Sequence, residues 1–140
     1  MQRVIIESPY AGEVDKNTAY ARQCMRDSLD RGEAPYASHL LYTQPGVLDD
    51  SDAQERAQGI EAGLIWGTLA DRTVVYVDRG LSEGMIQGIY RAEHEGRVVV
   101  FRSLKYEEEY SLDEIKKSIG YAMDGMMATI GNIFALKGPS

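Results

Sequence analysis

Residues 73–92 read TVVYVDRGLSEGMIQGIYRA. The β-branched run at 73–77 predicts a buried strand, a glycine-bearing turn follows it, and apolar residues return with helical spacing after Ser82. In open α/β sheets, ligands bind beyond the carboxyl ends of the strands, where helix N-termini offer unpaired N–H groups. We therefore expect polar or anionic groups of a ligand to bind at this turn.

The composition narrows the class of protein. The 140 residues suffice for one domain with its own core. The net charge of −7 disfavours nucleic acid as the main partner, because phosphate contacts need a surplus of Lys and Arg. Cys24 has no second cysteine to pair with, no leader pattern opens the chain, and no apolar run approaches the roughly 20 residues of a membrane span. We expect a cytoplasmic protein that contacts neither nucleic acid nor membrane.

Strand and helix patterns alternate along the chain. Further strands are predicted at 3–7, at 34–41 and at 98–101. Runs such as 73–77 and 98–101 are apolar on both faces, which is typical of a parallel sheet covered by helices on both sides. The sequence thus predicts a doubly wound, flavodoxin-like or Rossmann-like α/β fold with a mostly parallel sheet of four to five strands and a C-terminal helix.

Three helices are predicted between these strands. The first begins at Asn17, a plausible N-cap, and stops at Gly32. The second covers 52–69 and has Ser51 and Gln54 as a capping box. The third covers 82–95. The helical spacing in the second predicts a buried face of Ala53, Ala57, Ile60, Leu64 and Leu69.

The tail carries one further helix. Ser111 and Glu114 form another capping box, and the apolar face behind it is rich in methionine: Ile115, Ile119, Met123, Met126, Met127 and Ile130. This face either lines an adaptable ligand or subunit contact or simply packs on the sheet or on a symmetry mate. We therefore divide the chain into an α/β domain, 1–105, and an amphipathic helix, 106–140, that packs on the domain or on a neighbouring subunit.

A resemblance to a known family rests on several short motifs in order. They are Ser8-Pro9-Tyr10-Ala11-Gly12 after the first strand, Asn17, Pro35, His39, Asp49-Asp50, Glu55-Arg56 and Ser82-Glu83-Gly84-Met85. In order and spacing they resemble the nucleoside 2-deoxyribosyltransferase-like superfamily over residues 3 to 102, and most of all its small, often phage-encoded members.

The resemblance implies a ligand pocket at the first strand–helix turn. Tyr10 would stack on a base, unless this turn is only structural and Tyr10 caps the sheet edge. His39 would hydrogen-bond a phosphate or hydroxyl, unless it is a structural histidine. The candidate ligand-binding residues are Ser8, Tyr10, Gly12, Asn17, Tyr36, His39, Asp78, Ser82, Glu83, Gly84, Met85 and Gly88.

Neither a metal nor a cofactor is expected. Asp49, Asp50 and Asp52 suggest a metal cluster, but neighbouring residues in a polar loop rarely converge on one ion, and a solvated, helix-capping loop is the better interpretation. Glu55 and Arg56 are expected to pair with each other or with a ligand, or to lie on the surface.

Position 88 decides between binding and catalysis. The resemblance implies a nucleophilic glutamate three residues after Met85, where this chain has Gly88. Glycine in a helix interior costs about 1 kcal/mol relative to alanine, so it should have a compensating role. It either enlarges the pocket for a ligand bulkier than a nucleoside or permits close helix packing. Glu83 is the nearest remaining carboxylate, but it points elsewhere by helical geometry.

Our leading hypothesis is therefore a non-catalytic nucleotide-binding protein. It resembles phage sponges that sequester a cyclic nucleotide or a cyclic ADP-ribose-type immune signal in the host cytoplasm. The alternative is an active nucleoside deoxyribosyltransferase or nucleotide N-glycosidase that uses Glu83 or Asp78. A third hypothesis is a structural or host-protein-binding module. A homo-oligomer is expected, since pockets in this family are commonly completed by a neighbouring subunit.

Overall fold

The structure is a computed structural model that describes residues 1–119. The predicted tail positions Met123, Met126, Met127 and Ile130 lie outside the described residues. Among the helices of residues 1–119, none combines the length and the apolar character that a membrane span requires.

Five strands form one sheet in the order β2-β1-β3-β4-β5. Strands β1 to β4 are parallel, and β5 pairs antiparallel with β4. Their bounds are β1 Arg3–Glu7, β2 Ala34–Tyr36, β3 Arg72–Tyr76, β4 Val98–Arg102 and β5 Tyr110–Ser111. The predicted doubly wound α/β class with a mostly parallel sheet is confirmed.

Helices cover both faces of the sheet. Their bounds are α1 Val14–Asp30, α2 Ser38–Leu41, α3 Ala53–Gly67, α4 Glu83–His94 and α5 Leu112–Ile119. On one face, α1 packs through Tyr20 and Cys24 on strand residues that include Val74 and Val100. On the other face, α4 and α5 pack on strand residues that include Val75 and Phe101. The core thus consists of two apolar layers separated by the sheet.

The second predicted strand is shorter than expected. It ends at Tyr36, and the chain turns directly into α2, where the amides of Leu40 and Leu41 donate to the carbonyl of Ala37. Extension of a strand to residue 41 was therefore wrong. As an edge strand, β2 pairs with β1 alone, so few ladder bonds compete with the helical turn.

One predicted helix start and one predicted capping box were also wrong, and another capping box was confirmed. Helix α1 begins at Val14, so Asn17 lies inside its first turns. Asp52 rather than Ser51 caps α3, since its carboxylate accepts from the amides of residues 54 and 55. The capping box of Ser111 and Glu114 is present in both directions.

The buried face of α3 consists of glycine rather than of larger apolar residues. Gly63 and Gly67 are buried, whereas Ile60 and Leu69 of the predicted face are about half exposed. A Cβ at position 63 would lie 2.7 Å from the Cβ of Ser38. The helix packs closely on Ser38 and Ile5 through its glycines, and its large side chains are exposed to solvent. The predicted buried face was wrong, and Ala53 and Ala57 are exposed as well.

Candidate functional site

Three of the predicted ligand residues meet where β1 and β2 end. The hydroxyl oxygen of Ser8 lies 2.8 Å from Nε2 of His39, and the rings of Tyr10 and His39 meet edge to face at 6.3 Å. Burial lowers the pKa of His39 to about 4, so the imidazole is neutral at pH 7. A neutral ring both donates and accepts, and its tautomer decides whether Ser8 or His39 is the donor.

The loop that follows β1 is held in place by Asn17. Its side-chain amide donates to the carbonyl of Tyr10 at 3.0 Å and to the carbonyl of Ala11 at 3.2 Å. The guanidinium of Arg79, from the loop after β3, donates in turn to the Asn17 oxygen at 2.8 Å. Gly12 has φ of +96°, a conformation that favours glycine. Asn17 and Gly12 therefore fix the backbone that carries Tyr10.

Asp78 ties three elements together at the same edge. Its carboxylate accepts from the Tyr20 hydroxyl at 2.6 Å, from the Ser103 hydroxyl and from the amide of Leu104. Both of its oxygens are used in these bonds. A ribose hydroxyl at Asp78 would have to displace one of them, and the described contacts make Asp78 a positioning residue for the loop after β3.

The start of α4 contributes a further group of predicted residues. The hydroxyl of Ser82 accepts from the amide of Met85 at 3.3 Å and caps the helix. Glu83 and Gly84 are exposed in the first turn, whereas Met85 is buried in the core with Val75. Separately, the hydroxyl of Tyr36 is buried without a hydrogen-bond partner in the described chain. Of the predicted residues at the start of α4, Glu83 and Gly84 are thus accessible to a ligand, whereas Met85 belongs to the core.

A cleft between α2 and α3 opens beside His39. Arg56 also lines it, and no ion pair or hydrogen bond joins this guanidinium to another of residues 1–119. Asp49 binds the Ser51 hydroxyl and Asp52 caps α3, so these carboxylates serve the loop. Among the described residues no group of acidic, His or Cys side chains could hold a metal ion.

The space beside Gly88 is filled by Glu7. A Cβ added at Gly88 would lie 2.2 Å from Oε1 and 2.6 Å from Cδ of the Glu7 side chain. The expectation that Gly88 enlarges the pocket was therefore wrong, as was the choice of Glu83 as the nearest carboxylate. Glu7 is the last residue of β1 and lies on the same strand face as Ile5.

The Glu7 carboxyl group lies in an unusual electrostatic environment. Burial raises its pKa to about 8, although the positive charge of Arg97 opposes this. The Arg97 guanidinium is itself engaged, because it donates to the Thr73 hydroxyl and the Gly67 carbonyl, each at 3.0 Å. No hydrogen bond joins the Glu7 carboxyl to another described residue. The neutral, protonated form of Glu7 is thus favoured over its ordinary ionised form.

Sequence reasoning missed Glu7, although one signal was available. The first strand alternates buried residues with less buried ones, and Glu7 places an ionisable group at its carboxyl end. Ligand sites of parallel sheets lie at that end. Its partner Gly88 is 81 residues away along the chain, so no local pattern connects the two.

Comparisons with known proteins agree with this architecture. The fold is similar to a solved 2-deoxyribosyltransferase from the psychrotolerant bacterium Bacillus psychrosaccharolyticus, with a TM-score of 0.54 and 18% sequence identity over 89% of this chain and 95% of that one. At this identity the likeness shows the fold alone. No curated protein matches the sequence. Residues 2–102 match the family described as Domain of unknown function (DUF7768), and the chain belongs to that family.

Proposed function

We propose that this protein binds a nucleoside or nucleotide at the carboxyl edge of its sheet and holds it without turnover. The observation that carries the proposal is the convergence of Ser8, Tyr10 and His39 where β1 and β2 end. In parallel sheets covered on both faces, this edge is where ligands bind. The finer form of the proposal is a phage sponge that sequesters a cyclic nucleotide or a cyclic ADP-ribose-type immune signal in the host cytoplasm.

The chemistry of the edge suits a base and a sugar. Tyr10 offers an aromatic ring for stacking. Ser8 and the neutral imidazole of His39 together donate and accept hydrogen bonds, as ribose hydroxyls and base edges require. Because Asn17 holds the Tyr10 backbone, this surface is preorganised, which limits the entropy lost on binding.

Two features favour a phosphate next to this surface. Arg56 lines the cleft beside His39 and has no partner within residues 1–119, so its guanidinium is available to an anion. The amides at the start of α4, near Gly84, carry the positive end of the helix dipole. Asp50 and Glu55 line the same cleft, so a phosphate would bind beside Arg56 and away from these two carboxylates.

Binding without turnover is supported by position 88. The resemblance to the nucleoside 2-deoxyribosyltransferase-like superfamily implies a glutamate nucleophile at position 88, where this chain has Gly88 and no side chain. We also propose a homo-oligomer, since Ile60, Ile65, Trp66 and Leu69 leave an exposed apolar surface along α3.

A second candidate function rests on one specific observation. The Glu7 carboxyl lies within the space that a side chain at position 88 would occupy. An N-glycosidic-bond enzyme needs an acid that can protonate the departing base, and a carboxyl group with a pKa of about 8 is protonated at neutral pH. This candidate predicts release of free base, which sequestration does not.

Equilibrium dialysis against nucleosides, nucleotides, cyclic nucleotides and cyclic ADP-ribose isomers tests the proposal. We expect the wild-type protein to lower the free concentration of at least one of them. His39→Ala should weaken that binding about tenfold or more, since it removes a half-buried hydrogen-bonding group from the site. His94→Ala, a change at the other histidine, which is exposed at the end of α4, is the matched control and should bind as wild type does. Unchanged free concentrations across the whole panel would refute the proposal.

A further inference from the structure

Glu7, the last residue of β1, lies directly against Gly88 in the middle of α4. The Glu7 carboxyl occupies the volume of the missing side chain at Gly88, with Oε1 2.2 Å from where a Cβ would be. We propose that the Glu7 carboxyl is part of the ligand site and that it contacts the sugar of the bound nucleoside. The inference rests on the proposed function.

Glu7 and Ser8 are neighbours at the end of β1, and each contacts a different side of the proposed ligand site. Successive residues of a strand point to opposite faces of the sheet. Ser8 is therefore directed to the side of His39, which it meets at 2.8 Å, while Glu7 is directed to the side of α4. A ligand lying across the end of β1 touches both side chains.

The surroundings of Glu7 argue against a purely structural role. Glu7 is only partly exposed and makes no hydrogen bond to a described residue, so an apolar side chain would fill the gap beside Gly88 at a lower cost in desolvation. Structural carboxyl groups in this chain are bonded instead, as Asp78 is to the hydroxyls of Tyr20 and Ser103. Glu7 has donor and acceptor capacity that the described residues do not use.

The protonated form is the one that binds in this account. The charged groups on the neighbouring elements are Arg97, which precedes β4, and Glu95, with which Arg97 forms an ion pair. Burial outweighs the positive charge of Arg97, whose guanidinium donates to Thr73 and Gly67, and raises the pKa of Glu7. A bound ligand removes more water and favours the neutral form further. The carboxyl O–H donates to a sugar oxygen and its carbonyl oxygen accepts from a sugar hydroxyl, with no bond to the ligand made or broken.

Two substitutions at Glu7 test the inference, with adenosine 5′-monophosphate and cyclic ADP-ribose as probes. Glu7→Gln keeps the shape and hydrogen-bonding capacity of the neutral carboxyl but cannot ionise, whereas Glu7→Ala removes the group. Affinity is measured by titration calorimetry between about pH 6 and about pH 9, on either side of the raised pKa of about 8. Glu61→Gln, on the exposed surface of α3, is the control for loss of a carboxylate.

We expect Glu7→Ala to weaken binding about tenfold or more at every pH. The wild-type affinity should fall as the pH rises through about 8, and Glu7→Gln should bind within a few fold of wild type near pH 6 and show no such fall. Binding that is the same in all variants and has the same pH profile would overturn the inference while leaving the proposed function intact. Absence of binding to the wild-type protein across the whole panel of nucleosides and nucleotides, these two probes included, would overturn both.

Discussion

Replacement of Arg102 by methionine is expected to lower the free energy of unfolding by about 3 to 5 kcal/mol. Arg102 is 1% exposed and forms a two-pronged ion pair with Glu33, with N–O distances of 2.8 and 3.0 Å. It also donates to the Tyr76 hydroxyl and to Glu109. Methionine fills much of the same volume but leaves the buried Glu33 carboxylate without its main partner.

The same substitution should change how stability depends on pH. Burial alone would raise the pKa of Glu33, but hydrogen bonds from Arg102 and Ser28 outweigh it and hold the pKa below the ordinary value of 4.5. The stabilisation is therefore fully present above about pH 4.5 and is lost as the pH falls through the lower pKa of the folded state. The variant should lose less stability on acidification than the wild-type protein does.

Urea unfolding followed by circular dichroism measures both effects. Arg26→Met is the matched control, because Arg26 pairs with Asp30 on the exposed surface of α1. Such pairs contribute about 1 kcal/mol or less. Equal losses for the two variants would show that the cluster around Arg102 does not stabilise the fold as described.

Gly88→Ala is expected to abolish the contribution of Glu7 to binding without unfolding the protein. The added Cβ collides with the carboxyl end of Glu7, which is flexible and can rotate away. Alanine also favours the helix by about 1 kcal/mol over glycine. The variant should therefore remain folded, and its affinity for the nucleotide that the wild-type protein binds should fall about tenfold or more, which corresponds to about 1.4 kcal/mol.

A double substitution separates this effect from others at α4. If Gly88→Ala acts by displacing Glu7, then Glu7→Ala combined with Gly88→Ala should bind no more weakly than Glu7→Ala alone. Gln87→Ala, at an exposed position one residue away, should leave affinity unchanged. Titration calorimetry on the wild-type protein, the two single variants and the double variant gives the coupling energy between positions 7 and 88. Additive losses in the double variant would mean that Gly88 acts independently of Glu7.

The sequence was sufficient for the sheet and its helices because their signals are local. The apolar run at 73–77 and the helical spacing after Ser82 correspond to β3 and α4 within a residue or two at each end. The parallel direction of β1 to β4 follows from the same alternation, since parallel strands need crossover helices. The edges were less well predicted, because β2 and β5 have only three and two residues and few bonds of their own.

Positions that depend on distant partners could not be predicted from the sequence. Helix α3 has apolar residues at helical spacing, but contact with Ser38 and Ile5 selects its glycine face for burial. The position of Glu7 could not be predicted for the same reason, because it lies against Gly88, which is remote in sequence and adjacent in space. The cluster of Ser8, Tyr10 and His39 was suggested only through a family resemblance, and the hydrogen bond between Ser8 and His39 required the structure.

The central claim is that the carboxyl edge of the sheet holds a nucleoside or nucleotide intact. The most direct test incubates the protein with the mixed panel, separates it from unbound material by gel filtration, denatures it by heat and analyses the released compounds by chromatography. We expect one nucleoside or nucleotide of the panel to be recovered unchanged from the wild-type protein and to be strongly depleted in His39→Ala. Release of no nucleoside or nucleotide on denaturation, or accumulation of free base before it, would rule out this intact binding.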